Sequence, residues 1–300
     1  MRAASVGDGA DPGASASPGA GASADPGASA SPGPIGASFG AARARGRAAL
    51  VPYVTAGYPE ADATEPLLRG LEEAGADVIE LGIPFSDPLA DGPTIQRASQ
   101  RALAAGVGVG RVLDALRAYA ADGACPVVLF SYLNPILGYG LERFLEGALE
   151  AGAAGLLITD LPLGADAAIE ARLEGAPLDL VRLVAPTTPP ARARAIAARA
   201  QGFLYLVSRT GVTGARAELP AGLEARVRDL RSVASVPVAV GFGISTPAQA
   251  AAVARVADGV VVGSALLDRI EDAGVAAGVA LAAELRAALD EAGAPERGAP

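Results

Sequence analysis

The sequence predicts a parallel (β/α)8 barrel preceded by a disordered N-terminal extension. Three observations carry this reading. Short apolar runs alternate with amphipathic segments over about 250 residues. The runs are mostly continuous in hydrophobicity, as strands buried on both faces are. Gly, Pro, Ser and Thr gather at their C-terminal ends. The spacing alone also fits a doubly wound open sheet; the barrel is the favoured architecture.

The elements follow in order. Residues 1–36 hold Gly, Ala, Ser, Pro and Asp with almost no large apolar side chain, and the nonapeptide DPGASASPG occurs at 11–19 and again at 25–33. Such a segment cannot bury enough apolar area to offset its ordering entropy, so disorder is expected, as it is for 294–300. The barrel domain is assigned to 37–293. Its strand candidates are 49–55, 77–81, 127–132, 155–159, 178–184, 202–207, 237–240 and 259–262. Helical segments at 64–74, 111–121, 141–151, 165–173, 191–200, 223–234 and 247–256 lie between them. A short extra helix at 265–270 and a last one at 276–292 follow the eighth strand.

Composition excludes several chemistries. The chain has neither His nor Lys, so imidazole bases, Ser-His-Asp triads, His-ligated metals and lysine Schiff bases are ruled out. Proton transfer falls to carboxylates, tyrosines or water. The net charge of −9, about −7 of it outside the extension, does not attract nucleic acid or anionic lipid. No apolar run is long enough to span a bilayer and no signal-peptide pattern opens the chain. The single Cys125 reads as a buried structural thiol of a cytoplasmic protein.

In a barrel of this kind the active site lies where the strands end. After the sixth, seventh and eighth strands, Gly211, Gly214, Gly241, Gly243, Gly263 and Ser264 supply flexible backbone, and Gly263-Ser264-Ala265 opens the extra helix. Free N–H groups at such a helix start bind phosphate, and glycine lets the backbone come close. On the second strand Val78, Glu80 and Gly82 share one face, and Ile79, Leu81 and Ile83 the other. The bulky set suits packing under helices, so Glu80 points into the barrel, where desolvation raises its pKa and fits it to give and take a proton. The competing reading pairs Glu80 with a buried Arg, and Arg182 is the one Arg on a strand candidate. Asp87 and Asp91 share a Pro-punctuated loop and both fit turn or cap roles; residue physics does not separate them. Asp160, at the end of the fourth strand, reads as a brace for a neighbouring loop.

The segments ELGIPFSDPLADGPTIQ, PYVTAGYP, ITDLP, YLVSRTGVTG, GFGIS and VVGSA, in this order from about residue 39, closely resemble the tryptophan synthase alpha chain family. The resemblance implies retro-aldol cleavage of indole-3-glycerol phosphate to indole and glyceraldehyde 3-phosphate. It implies no cofactor in this subunit and no metal, with a pyridoxal-phosphate beta subunit as partner in an alpha2-beta2 complex. The family's catalytic carboxylates fall on Glu80 and Asp91, its phosphate-binding positions on Gly214, Gly243, Gly263 and Ser264, and its indole pocket on Tyr53, Phe130, Leu157 and Tyr205. Tyr53 stands where phenylalanine is often found and adds a hydroxyl that needs a partner; Phe130 replaces a smaller leucine. The loops 85–94 and 208–220 become movable lids, with Asp160 bracing the first. Rival readings are another phosphate-binding barrel of the same pathway, such as an indole-glycerol phosphate synthase, which would be expected to need a lysine, and a non-catalytic barrel that only binds a partner.

Overall fold

A computed structural model describes residues 33–208, 222–241, 243–293 and 295. Eight parallel strands close a barrel in sequence order: β1 (Ala49–Thr55), β2 (Ile79–Gly82), β3 (Val127–Ser131), β4 (Gly155–Ile158), β5 (Asp179–Val184), β6 (Leu204–Val207), β7 (Val238–Gly241) and β8 (Gly259–Val262). Around it lie α1 (Pro34–Ala44), α2 (Thr64–Glu73), α3 (Pro93–Ala104), α4 (Val109–Ala120), α5 (Leu133–Tyr139) and α6 (Leu141–Glu150). The ring continues with α7 (Ala167–Glu174), α8 (Pro190–Ala197), α9 (Leu223–Arg231), α10 (Pro247–Ala254), α11 (Ser264–Ala273) and α12 (Val275–Ala292). Closure excludes the open-sheet alternative.

Register fixes which residues face inward. Tyr53 pairs with Glu80, Glu80 with Val128, Val128 with Gly155 and Gly155 with Asp179. Four residues further along β5, Leu183 pairs with Tyr205, which leads through Ala239 and Gly259 to Ala49. Four residues along β1 return the path to Tyr53. The climb is even at every step, so one phase lines the whole interior, and its total of about eight is the shear of a TIM barrel. Glu80 belongs to this inward set. Arg182 does not, because it lies one residue from Val181 and Leu183.

The floor of the barrel needs a cover, and α1 supplies it. Ile35, Phe39 and Ala42 are spaced for one helix face and all are buried. A Cβ on Gly155 would come within 2.8 Å of Ile35 Cδ1, and one on Gly259 within 2.7 Å of Phe39 Cε1. The glycines make room for the plug. The folded body therefore begins at Pro34, three residues inside the segment assigned to the extension, because the low-complexity composition hides the single large side chain Ile35. Residues 1–32, and most of the C-terminal segment 294–300, lie outside the described residues.

Elsewhere caps set the ends. Asp166 accepts from Ala168 N and Ile169 N, both at 3.0 Å, to start α7, and Thr246 and Gln249 form a capping box for α10. The helix α5 spans seven residues and buries Ile136, and the sequence pattern does not announce it. Cys125 is buried and its thiol donates to Ala76 O, so it is a packing residue.

Candidate active site

Glu80 is 1% exposed on the inward face of β2. Its Oε1 has no hydrogen-bond partner among the described residues. Burial alone pushes its carboxyl up to about 8. The pairing with Arg182 does not form. That guanidinium points into the helix layer, where it bonds Glu174 at 2.7 Å and Glu170 at 3.4 Å.

Around Glu80 stand aromatic walls. Tyr53, Phe130, Leu157 and Tyr205 are buried on the same inward phase. Tyr53 and Phe130 meet edge to face with ring centroids 5.0 Å apart. Tyr205 stands on β6, away from β1 and β2 but on the same inward phase, and burial first, then the charge of Glu80, raises its phenol above the ordinary value. The hydroxyl of Tyr53 has Thr55 Oγ1 at 3.4 Å.

The loop carboxylates separate by burial. Asp91 is partly buried and its carboxyl rises to about 6, by desolvation first, with an opposing hydrogen bond from Tyr132. Its backbone is tied by Asp91 N to Pro88 O at 3.0 Å and by Gln96 Nε2 to Asp91 O at 2.9 Å. Asp87 is exposed, and its carboxylate accepts from neighbouring Ser86 Oγ. The turn former and the chamber carboxylate are thus distinct in space.

Tyr132 is a site residue that the sequence reading missed. It hydrogen-bonds the Asp91 side chain, accepts from Ala90 N at 2.9 Å and packs on Phe85 with centroids 5.2 Å apart. Its place in SYLNP, at the C-terminal end of β3, was the available signal. Asp160 accepts from Leu133 N at 2.7 Å. Its bond goes to the start of α5 beside Tyr132; the loop 85–94 is reached only through Tyr132.

At the phosphate positions, Gly263 is the N-cap of α11, Ser264 is its first residue, and no side chain caps that end. Gly263 also lets Tyr53 come close, since a Cβ there would lie 3.2 Å from Tyr53 Cδ1. Gly243 is exposed with φ 77°, a conformation suited to glycine. Gly214 and most of the loop 208–220 lie outside the described residues. Among the described residues no cluster of three Asp, Glu or Cys could hold a metal ion.

The chain matches the family model for the tryptophan synthase alpha chain over residues 39–292. It is 50% identical over 238 residues to the tryptophan synthase alpha chain of Chloroflexus aurantiacus, covering 79% of this chain and 90% of that protein. It is 49% identical over 237 residues to that of Geobacter sulfurreducens, with the same coverage of 79% and 90%. Among solved structures it resembles Mycobacterium tuberculosis tryptophan synthase with TM-score 0.80 and 38% identity, covering 87% of this chain and 99% of that one. The tryptophan synthase subunit alpha of Legionella pneumophila gives TM-score 0.79 and 38% identity, covering 87% and 100%.

Proposed function

The chain belongs to the tryptophan synthase alpha chain family, lyases of tryptophan biosynthesis, and on that premise we propose how its residues cleave indole-3-glycerol phosphate. The carrying observation is an interior Glu80 without a cation beside it, with a carboxyl near 8, and an Asp91 with a carboxyl near 6, both of which act on the phenols of Tyr53 and Tyr205. Two carboxyl groups whose environments push their pKa values apart divide into acid and carboxylate at neutral pH. Glu80 is the acid and Asp91 the anion.

Asp91 accepts the indole N–H and favours the indolenine tautomer while Glu80 protonates C3 of the ring. Glu80, now ionised, removes the proton of the glycerol 3′-hydroxyl. The C–C bond breaks, and its electrons restore the indole while the 3′ carbon becomes the aldehyde of glyceraldehyde 3-phosphate. Backbone N–H groups at Gly243, Gly263, Ser264 and Gly214 hold the phosphate, so both proton transfers share one geometry. Tyr53, Phe130, Leu157 and Tyr205 enclose the ring, and Tyr132 aims Asp91. No step needs a cofactor in this subunit; the ring is the electron sink. The reading carries with it a cytoplasmic setting and a pyridoxal-phosphate beta subunit that receives the indole in an alpha2-beta2 complex. Among the described residues, no helix is long and apolar enough to cross a membrane.

A single-turnover assay for indole release tests the assignment. Glu80→Gln loses at least about two orders of magnitude, as expected for removal of a general acid–base, and Asp91→Asn loses a comparable amount. Normal turnover in Glu80→Gln would overturn the mechanism.

A further inference from the structure

Two buried polar atoms of the inner chamber are short of partners. One is Glu80 Oε1, which has none among the described residues. The other is the Tyr53 hydroxyl, whose contact with Thr55 Oγ1 spans 3.4 Å, longer than the ~3.0 Å limit of a good O–H···O bond. Buried polar groups in native proteins are rarely left so, and a functional site is one of the accepted reasons.

The position of that hydroxyl is fixed from several sides. The Tyr53 ring stands edge-on to Phe130 and flat enough against Gly263 that a Cβ there would lie 3.2 Å away. Its oxygen lies over Gly82, where a Cβ would come within 2.2 Å of it. Gly82 is the next inward residue after Glu80 on β2, and Glu80 is the register partner of Tyr53. The hydroxyl thus occupies the mouth side of Glu80, in space that only a glycine at 82 leaves open. It remains a donor, because burial and the nearby carboxylates of Asp91 and Glu80 hold its pKa well above the ordinary value. Tyr205, the other tyrosine facing Glu80, has its oxygen over Gly241 of β7.

A weakly held donor and an unpartnered carboxyl oxygen on the same inward face suit a ligand group that accepts from the first and donates to the second. An alcohol does both; a carbonyl, an ether or a phosphate dianion does not. We propose that Tyr53 is a catalytic hydrogen-bond donor to the 3′-oxygen of the substrate's glycerol chain, which at the same time gives its proton to Glu80.

This rests on the reading of Glu80 as the acid–base, and it adds a group that acts on the bond-breaking step. Glu80 takes the O–H proton, and the O–H electron pair becomes the second bond of the aldehyde C=O. The C–C bond breaks, and its electrons return to the indolenine ring. As the proton leaves ahead of the C–C pair, negative charge grows on the 3′-oxygen and the Tyr53 hydrogen bond strengthens. It therefore favours the transition state over the bound substrate. Phenylalanine at this position would enclose the ring equally well and lack the donor.

The experiment measures kcat and KM for indole-3-glycerol phosphate in the full chain and in Tyr53→Phe. Beside them it measures the inhibition constant of the same molecule lacking the 3′-hydroxyl. Tyr53→Phe should lower kcat about tenfold, with KM and the deoxy inhibitor's constant within about twofold, since neither reports the transition-state bond. An unchanged kcat overturns the proposal. So does a loss of deoxy-inhibitor affinity that matches the loss of kcat, which would make Tyr53 a packing residue. Thr55→Val keeps the hydroxyl and removes its present contact; it should turn over within about twofold of wild type, and a tenfold loss there would overturn the assignment. Glu80→Gln, assayed in parallel, separates the two readings. If it is active, the acid–base assignment fails and Tyr53 falls with it; if it is inactive while Tyr53→Phe is not slowed, only the Tyr53 assignment fails.

Discussion

Two buried carboxylates at the floor of the barrel and one higher on its inner wall are treated in opposite ways. At the floor, Asp77 accepts from Leu50 N at 2.9 Å, from Arg286 Nη1 at 2.9 Å and from Arg47 Nη2 at 3.1 Å. Asp258 likewise accepts from Val238 N at 2.9 Å and from Arg231 Nε at 3.1 Å. Each precedes a strand and ties down the first residues of the neighbouring one, Asp77 linking β2 to β1 and Asp258 linking β8 to β7. On the inner wall, Glu80 is buried more deeply than either, yet among the described residues no Arg pairs with it. Burial is common to Asp77, Asp258 and Glu80; a cationic partner is not. A buried charge that is paired holds the fold together, while one left unpaired has its proton affinity raised and is available for chemistry.

The contrast can be broken by mutation, and the largest effects come from its two poles. Glu80→Gln should abolish indole release by two to four orders of magnitude, about 3–5 kcal/mol of transition-state stabilisation. The same change should stabilise the fold. The carboxyl of Glu80 is raised from 4.5 to about 8, so its contribution is fully present below the unfolded value and is lost as pH rises toward 8. Urea melts of wild type and Glu80→Gln should therefore diverge between pH 5 and 8, by up to about 1.4 kcal/mol per pH unit, with the variant the more stable. Equal slopes would mean that Glu80 has a partner in solution.

Asp77→Ala should do the reverse. It strips Arg286 Nη1 and Leu50 N of their acceptor, leaves Arg286 only the half-exposed Asp290 at 2.8 Å, and should cost about 3–5 kcal/mol in the same melts. The folded fraction, assayed at low temperature, should keep kcat. A loss of kcat without a loss of stability would move Asp77 out of the structural class.

A smaller effect sharpens the mouth itself. With Asp91 near 6 and Glu80 near 8 in the free protein, kcat/KM should follow a bell with limbs near those values. Below the lower limb Asp91 protonates and no longer accepts the indole N–H; above the upper limb Glu80 has no proton to give. In Asp91→Asn the acid limb should vanish from the residual rate. The smallest effect belongs to Asp87→Asn, within about threefold of wild type, because the side chain is exposed and bonded to Ser86. A loss there as large as that of Asp91→Asn would return the two loop aspartates to equal standing.

Much of this was legible in the chain. The alternating apolar runs gave all eight strands, with ends shifted by up to two residues, and phase along 79–83 turned Glu80 inward unaided. The absence of Lys and His left carboxylates and tyrosines for proton transfer. Only family resemblance separates Asp91 from Asp87 in the sequence; no residue pattern distinguishes two aspartates four positions apart in one loop. Tyr132 was missed because its hydroxyl finds Asp91 from another strand. Ile35 was missed because one large side chain in a Gly/Ala/Ser/Pro tract leaves no periodicity to detect.

What the sequence determined by itself was local: period, phase, turn chemistry and the inventory of groups able to carry a proton. Those properties depend on neighbours a few residues apart. The tertiary structure decided the partners. Arg286 reaches Asp77 across 209 positions of sequence and Thr94 reaches Asp268 across 174, while Glu80 is left without a cation. Such pairings depend on distance in space, which closure of the barrel sets. Whether a buried carboxylate is a strut or a catalyst is a property of what the fold brings, or fails to bring, within about 4 Å of it.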